Sequence, residues 1–179
     1  MRVQFGSCYV ELALGDITKQ RVDAIVNAAN SQLAGGGGVD GAIHAAGGPV
    51  LMQETGERYP EGCPAGQAVA TSAGSLNAKH VFHAVGPVWK GGLKGEAELL
   101  RSAVKSCLQL ALEHECKSVA FPAISTGIYG YPIDLAADTS LLAVRDFVFE
   151  HGQPELVRFV LFSEGAYGAF SHRLERLIA

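Results

Sequence analysis

An α/β fold, with helices covering both faces of a largely parallel sheet, is predicted by two features of this 179-residue chain: apolar strand-like segments recur along it, and helical periodicities separate them. The strand-like segments lie at residues 9–14, 24–28, 68–72, 80–85, 118–123 and 156–162, most of them rich in Val, Phe, Ile or Ala. The first residues, 3–14, are expected to add an antiparallel edge, so the sheet is mixed. Over residues 96–113, Leu100, Ala103, Val104, Cys107, Leu108 and Ala111 recur at three- and four-residue spacing, while Arg101, Lys105, Gln109 and Glu113 mark the opposite face. Residues 133–150 repeat this pattern with Ile133, Ala137, Leu141, Val144 and Val148, and Pro132 suits the start of that helix. A shorter helix is expected over 166–178, and residues 39–46 are helix-compatible.

The length suits one hydrophobic core and is short for two, so residues 1–179 are read as a single domain. With 14 Lys and Arg scattered among 18 Asp and Glu, no basic footprint for displacing counterions exists, which argues against nucleic acid as a partner. No apolar run approaches a membrane span and no charged leader precedes an apolar one, so no membrane partner and a cytoplasmic location are expected. Cys8, Cys63, Cys107 and Cys116 form no Cys-x-x-Cys pair and read as reduced, mostly buried thiols. His80 and His83 have the look of a metal pair, but that spacing in a strand sends the rings to opposite faces. No metal and no cofactor are implied. Residues 87–95, with Lys90, Gly91, Gly92, Lys94 and Gly95, have the composition of an exposed, mobile loop.

Two loops at strand ends carry the candidate chemistry, because ligands of open α/β sheets bind beyond the carboxyl ends of strands. The first contains four consecutive glycines, Gly35, Gly36, Gly37 and Gly38, flanked by the polar Asn30, Asp40 and His44. Such a run persists where main chain must turn sharply or meet a ligand closely, and here it opens a helix whose free amides can face an anion. The second, Ile124-Ser125-Thr126-Gly127-Ile128-Tyr129-Gly130-Tyr131-Pro132, supplies amides and hydroxyls in a strand-to-helix turn. Two such loops can clasp a diphosphate with neutral donors alone, since neither contains a lysine. Residues 36–41 also satisfy Gly-x-Gly-x-x-Gly, with Glu57 or Glu61 at the distance of a ribose-binding acid. A dinucleotide loop should follow its strand immediately, however, and here residues 27–34 intervene. Asp16, in Gly15-Asp16-Ile17-Thr18, reads most simply as a helix cap; a carboxylate can also accept from an exocyclic adenine amine.

These segments, together with Val22-Asp23-Ala24-Ile25-Val26-Asn27-Ala28-Ala29-Asn30 and His83-Ala84-Val85-Gly86-Pro87, occur in the order seen in macro domains, and the chain resembles the MacroD-like branch of that family over nearly its whole length. The resemblance implies a three-layer α/β/α domain that binds ADP-ribose and hydrolyses its esters, O-acetyl-ADP-ribose and mono-ADP-ribosylated acidic side chains among them. ADP-ribose, its esters and mono-ADP-ribosylated proteins are then the expected partners. It further implies that Asp16 holds the adenine amine with support from the Ile17 amide. Gly37, Gly38 and Val39 of the first loop and Ser125, Thr126, Gly127, Ile128 and Tyr129 of the second would surround the diphosphate and distal ribose. Asn30 and Asp40 match the catalytic pair, Asn30 fixing the ribose and either Asp40 or a substrate diphosphate oxygen activating water. Phe162 is the choice for the ring against adenine, with Tyr167 as its alternative. Asn27 is assigned a structural role and His44 is kept out of the catalytic set. Ala45 follows His44 where the family often has arginine, which removes a local charge. The rival reading is a module that binds ADP-ribose without turning it over.

Overall fold

The computed structural model describes residues 1–179. Seven strands form one sheet: β1 (Arg2–Phe5), β2 (Cys8–Leu14), β3 (Ala24–Ala28), β4 (Ala68–Ser72), β5 (His80–Ala84), β6 (Ser118–Phe121) and β7 (Leu156–Leu161). Their spatial order is β1-β2-β7-β6-β3-β5-β4. The five inner strands are parallel, and each edge strand is antiparallel to its neighbour. The antiparallel edge at β1 is the expected one; the second, at β4, adds to it. Five helices complete the chain: α1 (Gly38–Gly47), α2 (Val50–Arg58), α3 (Glu96–Glu113), α4 (Ile133–His151) and α5 (Glu164–Ile178).

The helix stops and starts follow local chemistry. Helix α4 begins after Pro132 and ends where Gly152 takes a left-handed conformation, its N–H donating to Val148. Helix α5 starts two residues before its apolar periodicity, because the Ser163 hydroxyl accepts from the Ala166 N–H at 3.1 Å. Helix α2 went unread in the sequence: over its nine residues only Leu51 and Thr55 are buried, too few to generate a periodic signal.

Alternation along the strands divides the core. Val26, Phe82, Val119, Phe121 and Phe159 face α3, α4 and α5, where Leu100, Leu108, Leu141, Val144 and Phe170 are buried. Ile25, Val81, Ala120 and Val160 face the other way, against Ile43 of α1 and Leu51 of α2. The three layers are therefore helices, sheet and helices.

The topology also locates a crevice. From β3 the chain moves outward to β4 and β5; from β6 it moves the other way, to β7. Since β3 and β6 are neighbours, their outgoing connections part company above the sheet, and the gap between them is a topological switch point. The glycine loop leaves β3 and the second loop leaves β6. Helix packing and surface positions should respond differently to truncation. Leu141→Ala, in the core, is expected to lower the unfolding free energy by about 2–5 kcal/mol in urea titrations, whereas Phe162→Ala, 88% exposed, should change it by roughly 0.5 kcal/mol or less.

Candidate active site

The backbone of both loops presents donors with nothing to bond to. At the start of α1 the first internal bond runs from Gly41 to Gly37, and no acceptor takes the amides of Gly38, Val39 or Asp40. Gly35 and Gly38 have φ of 75° and 56°, so the turn into the helix uses conformations that side chains disfavour. In the loop after β6, Thr126 donates by both N–H and Oγ1 to Ala123, Gly130 to Gly127 and Tyr131 to Ser125. The amides of Ser125, Gly127, Ile128 and Tyr129 are left over. Ser125 is held at φ 69° and is buried, with its Oγ unpartnered, a costly arrangement for a residue with a side chain. Gly86, just beyond β5, lies so close beneath it that a Cβ there would collide with Ser125 Oγ and come within 2.6 Å of Ile124 Cγ2.

Asn30 and Asp40 stand on opposite sides of the glycines. The Asn30 side chain fastens the turn, donating through Nδ2 to Gly35 O at 2.9 Å and accepting through Oδ1 from Ala34 N at 3.1 Å. One N–H and one lone pair of that amide remain free. Asp40 lies in the first turn of α1 and is only 6% exposed. Its Oδ1 accepts from Asn27 Nδ2 at 2.8 Å and faces His44 Nε2, one helical turn on, at 3.2 Å. Its Oδ2 is unpaired and lies beside Gly36. The two oxygens are thus divided between holding the helix start and facing the loop. Asn27 has the structural role expected of it, and His44 is a partner of Asp40 beneath the loop.

Farther along the same sheet edge, Asp16 caps the 3-10 turn at Ile17–Lys19, its Oδ1 accepting from the Thr18 N–H and hydroxyl at 2.9 and 2.7 Å. Those bonds from Thr18 hold its carboxyl below the ordinary value. Asp16 Oδ2 takes no part in the cap, and Ile17 is buried beneath. Gly15 donates to Leu161 O at 2.9 Å, which places Asp16 and the exposed Phe162 at adjoining strand ends. Tyr167 is partly buried, and its hydroxyl accepts from the Met1 ammonium, so it is engaged elsewhere. Ile128, at the tip of the second loop, is 97% exposed.

The Macro domain family pattern matches residues 26–140, well over half of the chain. This chain belongs to the macro domain family. It is 52% identical to a macro domain-containing protein of Caldanaerobacter subterraneus, over 94% of this chain and 97% of that one. It is also 52% identical to the O-acetyl-ADP-ribose deacetylase of Salmonella gallinarum, over 87% of this chain and 88% of the relative. Among solved structures, the Oceanobacillus iheyensis macrodomain with ADP matches at a TM-score of 0.94 and 41% identity, covering 99% of this chain and 96% of that one. The macro domain fold expected from the ordered motifs is the fold observed.

His80 and His83 lie on opposite faces, as their spacing predicts: His80 stacks on Phe82 and meets His114 at a tilt, whereas His83 turns toward Asn27 and Thr71, partners that the sequence did not disclose. The loop over 87–95 is exposed, yet it is pinned from below by Glu96. That buried carboxylate accepts from the N–H groups of Lys90, Gly92 and Lys94 at 2.9, 2.8 and 2.6 Å. Trp89, in the same loop, donates its N–H to Tyr129 O and packs on Tyr131, joining this strap to the loop after β6. The composition gave weight to the glycines and none to the acid beyond them.

Burial pushes the Glu96 carboxyl up, but bonds from the Lys90, Gly92, Glu96 and Lys94 amides outweigh it and bring the group from 4.5 down to about 2. A depressed carboxyl contributes its stabilisation above the unfolded value and loses it as pH falls through the folded one. The Lys90, Gly92 and Lys94 amides should therefore show full hydrogen-exchange protection above about pH 4.5 and progressive loss toward pH 2. Glu96→Gln should remove that pH dependence; an unchanged profile would refute the assignment of the strap to this carboxylate.

Proposed function

We propose that this macro domain binds ADP-ribose along the carboxyl ends of β2, β7, β6 and β3 and hydrolyses esters of its distal ribose. The observation that carries the reading is the pairing, at the β3/β6 switch point, of two loops of unpartnered amides with Asn30 and Asp40 flanking the glycines of one of them. Seven free amides offer an anion neutral donors, and the three on α1 add the positive end of a helix dipole. The names of the relatives support the same reading: O-acetyl-ADP-ribose deacetylase for the Salmonella protein, and a complex with ADP-ribose for the Trypanosoma brucei macrodomain, which matches at TM-score 0.85 and 38% identity. Residues 1–179 act in this reading as one domain, and the four free, buried cysteines suit a cytoplasmic setting.

The order of groups along the sheet edge gives the ligand its direction. Asp16 Oδ2 and the exposed ring of Phe162, at β2 and β7, suit an adenine: an acceptor for its amine and a face for its ring. Ser125, Thr126, Gly127, Ile128 and Tyr129, after β6, come next and meet the diphosphate. Gly37, Gly38 and Val39, after β3, carry the far phosphate and ribose. Three strand spacings separate β2 from β3, roughly 14 Å at about 4.8 Å each, a span suited to an extended nucleotide diphosphate sugar.

At the β3 end the free N–H and lone pair of Asn30 engage ribose hydroxyls and fix the ring. Asp40 Oδ2 orients a water, whose oxygen attacks the acyl carbon. The bond from that carbon to the ribosyl oxygen breaks, the ribosyl oxygen takes up a proton, and a carboxylic acid and ADP-ribose leave. Acidic side chains carrying mono-ADP-ribose present the same ester chemistry and are included as substrates.

Purified protein should convert O-acetyl-ADP-ribose to acetate and ADP-ribose and release ADP-ribose from a mono-ADP-ribosylated glutamate protein, both followed by chromatography. Tight ADP-ribose binding with both esters intact would establish the binding-module alternative instead. Asn30→Ala and Asp40→Ala should each lower kcat by about 100-fold or more while calorimetry still detects ADP-ribose. Phe162→Ala should weaken ADP-ribose binding by about 1–3 kcal/mol and leave binding of ribose 5-phosphate unchanged; equal losses for both ligands would displace Phe162 from the adenine.

A further inference from the structure

Under the glycine loop, a line of buried polar side chains crosses the sheet from α1 to β4. Asp40, Asn27, His83 and Thr71 are all buried, and successive members lie within hydrogen-bond distance. Asn27 Nδ2 is 2.8 Å from Asp40 Oδ1 and 3.1 Å from His83 Nδ1; His83 Nε2 is 2.9 Å from Thr71 Oγ1. The Thr71 hydroxyl donates onward to Ser72 O at 2.9 Å. Asn27 and His83 are directly paired in the register of β3 and β5, so their side chains leave adjacent backbone positions, and both are buried.

Counting hydrogens fixes every direction in this line. A carboxylate accepts only, so Asn27 must present its nitrogen to Asp40, and its two N–H groups cover Asp40 Oδ1 and His83 Nδ1. His83 Nδ1 is then bare, and the ring hydrogen sits on Nε2. Thr71, its own hydrogen committed to Ser72, accepts it. We propose that His83, held by Thr71 as the neutral Nε2–H tautomer, is a positioning residue for ester hydrolysis: it takes one Asn27 hydrogen so that the other grips Asp40 Oδ1 and leaves Oδ2 to the cleft. The proposal rests on the hydrolase reading above.

The surroundings keep the ring neutral. Burial, and then the neighbouring His44 ring, push the His83 pKa down to about 4, against the opposing pull of Glu54. Glu54 is itself committed to Ser72 and Arg58. A protonated His83 would set an N–H against the Asn27 N–H and break the line, so a neutral ring is the state its neighbours require.

Two measurements test this. In protein labelled with 15N-histidine, the His83 shifts at neutral pH should show the hydrogen on Nε2; a hydrogen on Nδ1 overturns the proposal. In turnover of O-acetyl-ADP-ribose, His83→Leu should lower kcat by about 10- to 100-fold with KM and ADP-ribose affinity changed by less than about 3-fold. His83→Asn, which restores an acceptor near the place of Nδ1, should recover most of that loss. Thr71→Val, nearly isosteric, should lower kcat in the same direction and guards against a His83 variant that fails to fold. Wild-type kcat in Thr71→Val or in folded His83→Leu, or a loss confined to KM, overturns the positioning role. Wild-type protein that leaves the ester intact overturns the hydrolase reading itself, and the nitrogen shifts then still decide whether the line runs as described.

Discussion

The hydrogen bond from Asn27 Nδ2 to Asp40 Oδ1 joins the end of β3 to the first turn of α1, and the shape of the glycine loop depends on it. Between those two residues the chain includes four glycines and adopts left-handed conformations at Leu33, Gly35 and Gly38, so it has little local preference for any one path. Fixing both ends removes that freedom. Asn30 then closes the middle through its two bonds to residues 34 and 35. A loop that must offer free amides cannot use them to hold itself together, and in this macro domain side chains do that work. The second loop meets the same requirement differently: its carbonyls are used internally at Ala123, Ser125 and Gly127, while four of its amides stay free.

In the proposed function, neutral donors reconcile an acidic protein with an anionic ligand. The net charge is −4, and neither loop contains a lysine or arginine. Amides at a helix start and in a strand-to-helix turn are oriented dipoles that need no counterion. They are also fixed before the ligand arrives, which spares the ordering cost that long basic side chains incur. Affinity supplied this way depends on backbone geometry more than on ionic strength, and it places a premium on the buried contacts that hold the two loops in register.

Much of this was legible in the sequence wherever a periodic signal existed. Helices α3 and α4 and the strands at 24–28 and 68–72 have sharp periodicity or strong β-branched content, and they lie where those patterns put them. Helix α2 was not legible, because a helix that buries two residues carries almost no stripe. The glycine and Ser-Thr-Gly loops were recognisable from composition as turns with free amides, and that is how they fold. The support beneath them was not, since Thr71, His83 and Asn27 come from three strands whose neighbours in space are set by sheet order and register rather than by sequence distance. Only the position of His83 in line with Val81, on a buried strand face, hinted that its ring would need polar partners.

The strap at Glu96 makes the same point about composition. Lys90, Gly91, Gly92, Lys94 and Gly95 describe a loop with no reason to stay in place, and their side chains are in fact exposed or absent. The order comes from one acid at the start of α3, whose two oxygens collect three amides of the preceding loop. Like an N-terminal cap, this satisfies donors that would otherwise be free, but it gathers them from ahead of the helix rather than from within it. Because Trp89 in that loop bonds Tyr129 and packs on Tyr131, the strap also buttresses the loop after β6. Both loops at the β3/β6 switch point are therefore held by a buried carboxylate at a helix start: Asp40 for the glycines, Glu96 for the residues after β6.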